Sequence, residues 1–384
     1  MFSRRLPESL PENALTRAAG ARRASGKSLI DLTTSNPTAV GFDYSAALLS
    51  ELSSARNLIY DPQPFGQIAA REAVAADFAR RGTPVPVDNI VLTASTSEAY
   101  GWLFALLCDP GDDVIVPTPS YPLFEWLTKL ASVVSIPYRL EYHRRWAIDV
   151  DALAAAITTR TRALLIVNPN NPTGSYLTRD ELAAIDRVAP DLPLIGDEVF
   201  WDFPHDAAPA SRVSVLESTR RLVFSLGGLS KSAGLPQVKL GWMALGGAPD
   251  AVAAARDRLD VIADTYLSVS TPVQTAVPAL IEGGKAIRAQ ILERARANLG
   301  ALGRVVAGNP ALELLRLEGG WSAVVRVPAT RTEEQLAVAL VEEDGVLVHP
   351  GYFFDFEREA YVVVSLIVPC DDFARGVDAL ARRF

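Results

Sequence analysis

The sequence predicts an α/β protein: a large three-layer unit on a mostly parallel sheet, followed by a smaller α+β unit. Three observations carry this. From about residue 89 to residue 245, short apolar runs alternate with amphipathic stretches at helical spacing. Turn-forming clusters follow the ends of several apolar runs, and beyond about Thr271 the rhythm gives way to one long helical stretch and then to short strands and helices. Strands that read as continuous apolar runs belong to sheets covered on both faces, which is the pattern of parallel sheets.

Taken in order, residues 1–45 are expected to form an N-terminal arm, with a helix, and part of the smaller unit. Residues 46–275 form the large unit and residues 276–384 the rest of the smaller one. Ile30 to Thr38 reads as a short strand running into a turn, and Tyr60 to Gly66 as a turn-rich loop feeding a helix from about Gln67 to Arg81. Strands follow at Ile90 to Thr93, Val114 to Val116, Val133 to Ile136, Ala163 to Val167, Pro193 to Ile195, Leu222 to Ser225 and Leu240 to Leu245. Between them helices are expected at Ser97 to Cys108, Leu123 to Leu130, Asp151 to Ile157 and Arg179 to Val188. A long helix from about Pro272 to Val306 opens the smaller unit. It is followed by extended runs at Leu312 to Leu317, Ser322 to Val327, Val346 to Val348 and Tyr361 to Val368, and by helices at Glu333 to Glu342 and Asp371 to Arg383. No repeat, low-complexity tract or flexible linker separates the units, so they should be tightly joined.

A net charge of -8 with both signs intermixed leaves no basic footprint for nucleic acid or an anionic membrane. No run approaches the roughly 20 apolar residues needed to cross a bilayer, and Met1 to Gly20 lacks the apolar core of a signal peptide, so a cytoplasmic location is expected. Cys108 and Cys370 have no metal-ligand spacing and are read as packing residues.

The chemistry is concentrated in Val223 to Trp242. An apolar strand ends in Gly227-Gly228, delivers Ser230-Lys231, and leaves through Gly234-Leu235-Pro236. Glycines let the backbone approach a ligand closely, and a lysine among apolar neighbours is disfavoured as an ammonium, so its amine becomes a nucleophile toward an aldehyde. Pyridoxal phosphate is the natural partner. Ligands of such sheets bind beyond the carboxyl ends of the strands, and Ser95-Thr96-Ser97, Asn171, Asp197 and Lys231 all follow strand ends. The Ser95 to Ser97 turn precedes a helix, a ready site for a phosphate.

Ser230-Lys231 with Gly234-Leu235-Pro236 and Gly241-Trp242, together with Asn168-Pro169-Asn170-Asn171-Pro172-Thr173-Gly174, resembles the fold-type I pyridoxal-phosphate enzymes of the aspartate aminotransferase superfamily. The resemblance covers nearly the whole chain. It implies that Lys231 forms the Schiff base and that Asp197 pairs with the pyridine nitrogen and keeps it protonated. Asn171 donates to the phenolic oxygen, Tyr121 stacks on the ring, and Ser95, Thr96, Ser97 and Ser230 serve the phosphate. Tyr60 resembles the tyrosine that reaches the phosphate of a neighbouring subunit, which implies a homodimer with shared active sites. Glu198 is read as structural.

Three departures mark this chain. Phe200 stands where the family commonly has a tyrosine donating to the phenolic oxygen, which implies a protonated Schiff base across neutral pH. Gly228 and Lys239 stand where serine and arginine commonly serve the phosphate, and a lysine supplies charge without the bidentate fork. Val363 stands where an arginine commonly grips the substrate carboxylate. Either Ser35, Asn36, Trp321 or His349 takes over that contact, or the substrate has no carboxylate there. The expected activity is amino transfer between an amino donor and a 2-oxo acid, with ping-pong kinetics. The alternatives are a lyase, decarboxylase or carbon–carbon bond-forming enzyme with the same cofactor, and a non-catalytic ligand-sensing domain.

Overall fold

A computed structural model describes residues 2–384. The chain opens with helix α1 (Ala14–Ala24), whose first turn is capped by the Asn13 side chain accepting from the Thr16 amide, and a two-residue strand β1 (Ile30–Asp31). Helix α2 (Ile68–Arg80) leads to β2 (Ile90–Thr93), α3 (Thr96–Leu107), β3 (Asp113–Thr118), α4 (Phe124–Leu130) and the hairpin β4 (Val134–Tyr142) and β5 (Trp146–Ile148). Then come α5 (Val150–Ala156), β6 (Thr161–Val167), α6 (Arg179–Val188), β7 (Leu194–Asp197), β8 (Leu222–Gly228), the short α7 (Leu229–Ser232) and β9 (Gly241–Gly247). Two helices follow, α8 (Pro249–Tyr266) and α9 (Thr271–Ala307). The remainder is β10 (Glu313–Leu314), β11 (Ser322–Arg326), α10 (Glu333–Ala339), β12 (Val346–Leu347), β13 (His349–Pro350), β14 (Tyr361–Ser365) and α11 (Cys370–Ala381).

The large sheet runs β2-β9-β8-β7-β6-β3-β4-β5. Strands β8, β7, β6, β3 and β4 are parallel, and β9 lies antiparallel between β2 and β8. Both faces are apolar. Val114, Val116, Ala163 and Leu165 pack on one side, under α3 and α8, while Ile115, Leu164 and Ile166 pack on the other. This two-sided burial explains why the strands read as unbroken apolar runs. All turns named above as candidate site residues, after β2, β3, β6, β7 and β8, emerge at one edge of this sheet.

A second, antiparallel sheet has the order β10-β11-β14-β13, and β1 pairs with β12 in parallel. Leu32 joins the core of this region beside Val325, Val346, Val364 and Phe373. Helix α9, 37 residues long, carries the chain from one sheet to the other, and the expected division at 275/276 lies in its first turns.

Several expectations are corrected. Residues 249–266, to which the sequence reading assigns no element, form the 18-residue helix α8; its apolar face is thin, with Val252, Ala255, Leu259 and Ala263 buried. The helix expected to run to Glu342 changes to a π turn at Leu340–Asp344 and stops at Gly345, which is left-handed at φ 72°. Of Leu312 to Leu317, only Glu313 and Leu314 pair as strand. Cys370 is exposed at the start of α11, so it is not a packing residue; Cys108 is partly buried.

Candidate active site

Strand β8 delivers Lys231 through a tight junction. A Cβ on Gly227 would sit 2.4 Å from the Trp242 indole nitrogen, and one on Gly228 would sit 2.9 Å from the Leu240 carbonyl oxygen. The two glycines are thus required by the return strand β9, where the sequence pattern alone suggests a ligand. The Lys231 Nζ lies 4.9 Å from the Trp321 ring centroid and 5.4 Å from that of Phe200. It makes no hydrogen bond among the described residues. Burial lowers its pKa to about 8, against the opposing pull of the Asp197 charge.

Asp197 ends β7. One carboxylate oxygen accepts the Tyr100 hydroxyl at 2.9 Å, and the other accepts the Val199 amide at 3.3 Å. Burial pushes its pKa up, while the hydrogen bonds from Tyr100 and Val199 and the Lys231 charge oppose this. Glu198 points into the protein. Its oxygens accept from Asn168, Ser214, Ser225 and the Val215 amide, which ties the ends of β6 and β7 to the middle of β8 and to the Ser214–Val215 turn. It is structural, as its place in the sequence suggests.

Helix α3 begins at the end of β2. Ser95 is its N-cap, accepting the Glu98 amide at 3.2 Å, while the Glu98 carboxylate accepts the Ala94 amide and the Ser268 hydroxyl. The Ser95 hydroxyl, expected on the phosphate, is therefore already committed as an acceptor. The amides and hydroxyls of Thr96 and Ser97, and the Ser230 hydroxyl, have no protein partner among the described residues. A Cβ on Gly241 would lie 2.8 Å from the Ser95 carbonyl carbon and 2.9 Å from the Thr96 nitrogen, so β9 presses directly on this turn. Lys239, nearby in sequence, is exposed and left-handed at φ 59°.

The turns after β3 and β6 are joined. The Asn170 amide donates to the Pro119 carbonyl, the Ser120 hydroxyl donates to Asn170, and the Ser120 amide donates to the Phe354 carbonyl. This leaves Asn171 with a free side-chain amide and Tyr121 with a ring about half exposed (49%). Phe200 is buried and edge-on to Trp321 at 5.2 Å. Tyr60 is 74% exposed and stands beside Trp102 and the loop 267–271.

The substrate candidates divide. Trp321 is buried against Phe200, Phe203 and Lys231, and its indole N–H has no partner. His349 pairs directly across from Val363, so both side chains lie on one face of that sheet, with the imidazole packed between Phe353 and Phe354. Ser35 and Asn36 are exposed, and the Asn36 oxygen is occupied by the amide and hydroxyl of Thr38. Tyr100 is a site residue that the sequence reading misses, although its spacing of four residues from Thr96 places it on the same face of the helix.

The donor set fits pyridoxal phosphate: an amine of lowered pKa for the aldehyde, a partly buried carboxylate for the ring nitrogen, unpartnered amides at a helix N-terminus for the phosphate, and a free asparagine amide for the phenolic oxygen. No group of residues suited to a metal ion occurs among the described residues.

Comparison with known proteins agrees. The glutamate-pyruvate aminotransferase AlaA of Escherichia coli is 25% identical over 371 residues, covering 93% of this chain and 90% of the relative. The alanine aminotransferase of Mycobacterium bovis is 26% identical over 382 residues, covering 95% and 87%. In fold, the chain matches the alanine aminotransferase of Pyrococcus furiosus with a TM-score of 0.89 at 22% identity, covering 100% and 99% of the two chains. With the family model "Aminotransferase class I and II" matching residues 30–366, the chain belongs to that family and is a pyridoxal-phosphate-dependent aminotransferase of fold type I.

Proposed function

We propose that this site moves an amino group between an α-amino acid and a 2-oxo acid, with Lys231 and Asp197 as its catalytic residues. The observation that carries the assignment is the Lys231 amine: half-buried just past the end of β8 between the Trp321 and Phe200 rings, without a hydrogen-bond acceptor among the described residues, and with its pKa lowered to about 8. The bound cofactor supplies an aldehyde for the donor amine and an electron sink for the pair left when the α-proton departs. With the cofactor bound, the Lys231 Nζ would take that proton and give it back as general base and acid. Asp197 would hold the proton on the ring nitrogen. The Asn171 amide would donate to the phenolic oxygen, and the amides of Thr96 and Ser97, with the hydroxyls of Ser97 and Ser230, would hold the phosphate while Lys239 would add charge. Tyr121 would cover one ring face, and Phe200 and Trp321 would wall off water from the lysine.

The substrate carboxylate meets His349 and the Trp321 N–H in this reading, with Ser35 and Asn36 at the rim. The relatives' names give glutamate and pyruvate, alanine, and tyrosine as the chemistry to screen first. The working form is a homodimer in the cytoplasm. Leu58, Ile59 and Tyr60, 88%, 70% and 74% exposed, form an apolar edge suited to a second copy, placing Tyr60 at the partner's phosphate. Sedimentation and cell fractionation test these two points.

The experiment for the reaction is incubation of cofactor-loaded protein with an amino acid and no acceptor. Release of one 2-oxo acid per site, resuming only when a 2-oxo acid acceptor is added, is the expected result. Continuous turnover without acceptor would assign a lyase or decarboxylase instead.

A further inference from the structure

We infer that Tyr100 is a positioning residue for Asp197: its hydroxyl fixes the carboxylate's rotation and keeps it ionised, so that the cofactor's ring nitrogen stays protonated. The inference rests on the role proposed above for Asp197.

The geometry leaves Tyr100 little freedom. Its ring is fully buried, edge-on to Phe124 at 5.6 Å and tilted against Phe104 at 6.1 Å. A buried phenol requires a partner for its hydroxyl, and the partner here is one oxygen of Asp197 at 2.9 Å. With that oxygen held, the carboxylate cannot turn about its terminal torsion without breaking a charge-assisted bond. The other oxygen takes only the longer Val199 contact of 3.3 Å, so its remaining lone pair has no protein donor among the described residues.

The proton inventory points the same way. Burial favours a neutral Asp197, and a neutral carboxyl could not hold a proton on the pyridine. The phenol itself is pushed well above its ordinary pKa by burial and by the Asp197 charge, so it acts only as a donor. Each hydrogen bond donated to the carboxylate favours its anion.

Tyr100 also ties the two ends of the cofactor to one element. Thr96 and Tyr100 are four residues apart on helix α3, on one face and about 6 Å apart along the axis. The same helix thus offers its first amides to the phosphate and, one turn later, its phenol to the residue that reads the ring nitrogen.

The test uses Tyr100→Phe in the full chain, loaded with pyridoxal phosphate labelled with nitrogen-15. The ring-nitrogen shift should move toward that of a neutral pyridine. The dissociation constant for cofactor, measured on the apoprotein, should rise, and kcat should fall by roughly 10- to 100-fold, the scale of a lost hydrogen bond to a charged group, with KM for the amino donor within about twofold. In an Asp197→Asn background the same substitution should do nothing further to the shift. Should Tyr100→Phe fold poorly, ring-fluorinated tyrosine at position 100, a stronger donor of the same shape, should move the shift the opposite way. An unchanged shift in the loaded variant, or an equal loss of activity in the Asp197→Asn background, overturns the inference while leaving the role of Asp197 intact. A wild-type protein that takes up no cofactor overturns both.

Discussion

Asp197 and Glu198 are adjacent, both at the end of β7, and burial raises the pKa of each. Their surroundings nevertheless give them opposite tasks. Every oxygen of Glu198 is engaged by donors from β6, β8 and the Ser214–Val215 turn, and the residue is only 2% exposed. Asp197 receives one short bond and one long one, is only partly buried, and feels the Lys231 charge. A carboxylate whose hydrogen-bonding capacity is filled by protein stabilises the fold; one left partly unfilled is available to a ligand. The alternation of side chains along a strand end, one into the cleft and one into the core, produces this division from two neighbouring residues.

Substitutions can break the comparison. Asp197→Asn should lower kcat by roughly 10²- to 10³-fold, the scale of losing one preorganised group at a developing charge, while urea unfolding stays near wild type. Glu198→Ala should do the reverse in kind, costing about 3 kcal/mol or more in urea unfolding because four donors lose their shared buried acceptor. Equal loss of stability in both variants would end the distinction.

The amine offers a subtler test. Neutral lysine reacts with an aldehyde, and the folded pKa of Lys231 is depressed to about 8, so cofactor uptake by apoprotein should accelerate as pH rises through that value. The Asp197 charge holds the pKa up, so Asp197→Asn should shift the uptake transition to lower pH, whereas Glu198→Gln should leave it in place. Uptake rates by stopped-flow absorbance across this range decide it. Further along the sheet edge, Gly241→Ala would drive a methyl into the Ser95–Thr96 backbone, and the cofactor dissociation constant should rise about tenfold with KM for substrate little changed. The smallest effect is expected at Phe200. The absorbance of wild-type loaded protein should show no transition across neutral pH, and Phe200→Tyr, by adding a donor to the phenolic oxygen, should bring one into view.

Much of this is legible in the amino-acid sequence. Strands β2 to β4 and β6 to β9 and most of the helices of the large unit follow from apolar periodicity, whereas the three-residue β5 does not, and α6 falls where Thr178 and Glu181 form a capping box. Lys231, Asp197 and Asn171 stand at strand ends for the same reason. Helix α8 is not legible, because four small or single apolar contacts along 18 residues leave a weak period. Tyr100 is hidden in an ordinary amphipathic helix. Glycines 227 and 228 suggest a ligand, yet their nearest obstacles are Trp242 on the adjoining strand and Leu240 just before it.

The order of chemical groups along the chain, and the edge of the sheet they reach, were determined by the sequence itself, since strand period and turn chemistry act over a few residues and survive without tertiary context. What those groups touch was decided only by folding. Residues 100 and 197, and 231 and 321, are far apart in sequence, and no local pattern encodes their approach. Their contacts arise when two sheets, a 37-residue helix and a buried return strand pack together, and that packing assigns one carboxylate to the fold and its neighbour to the cleft.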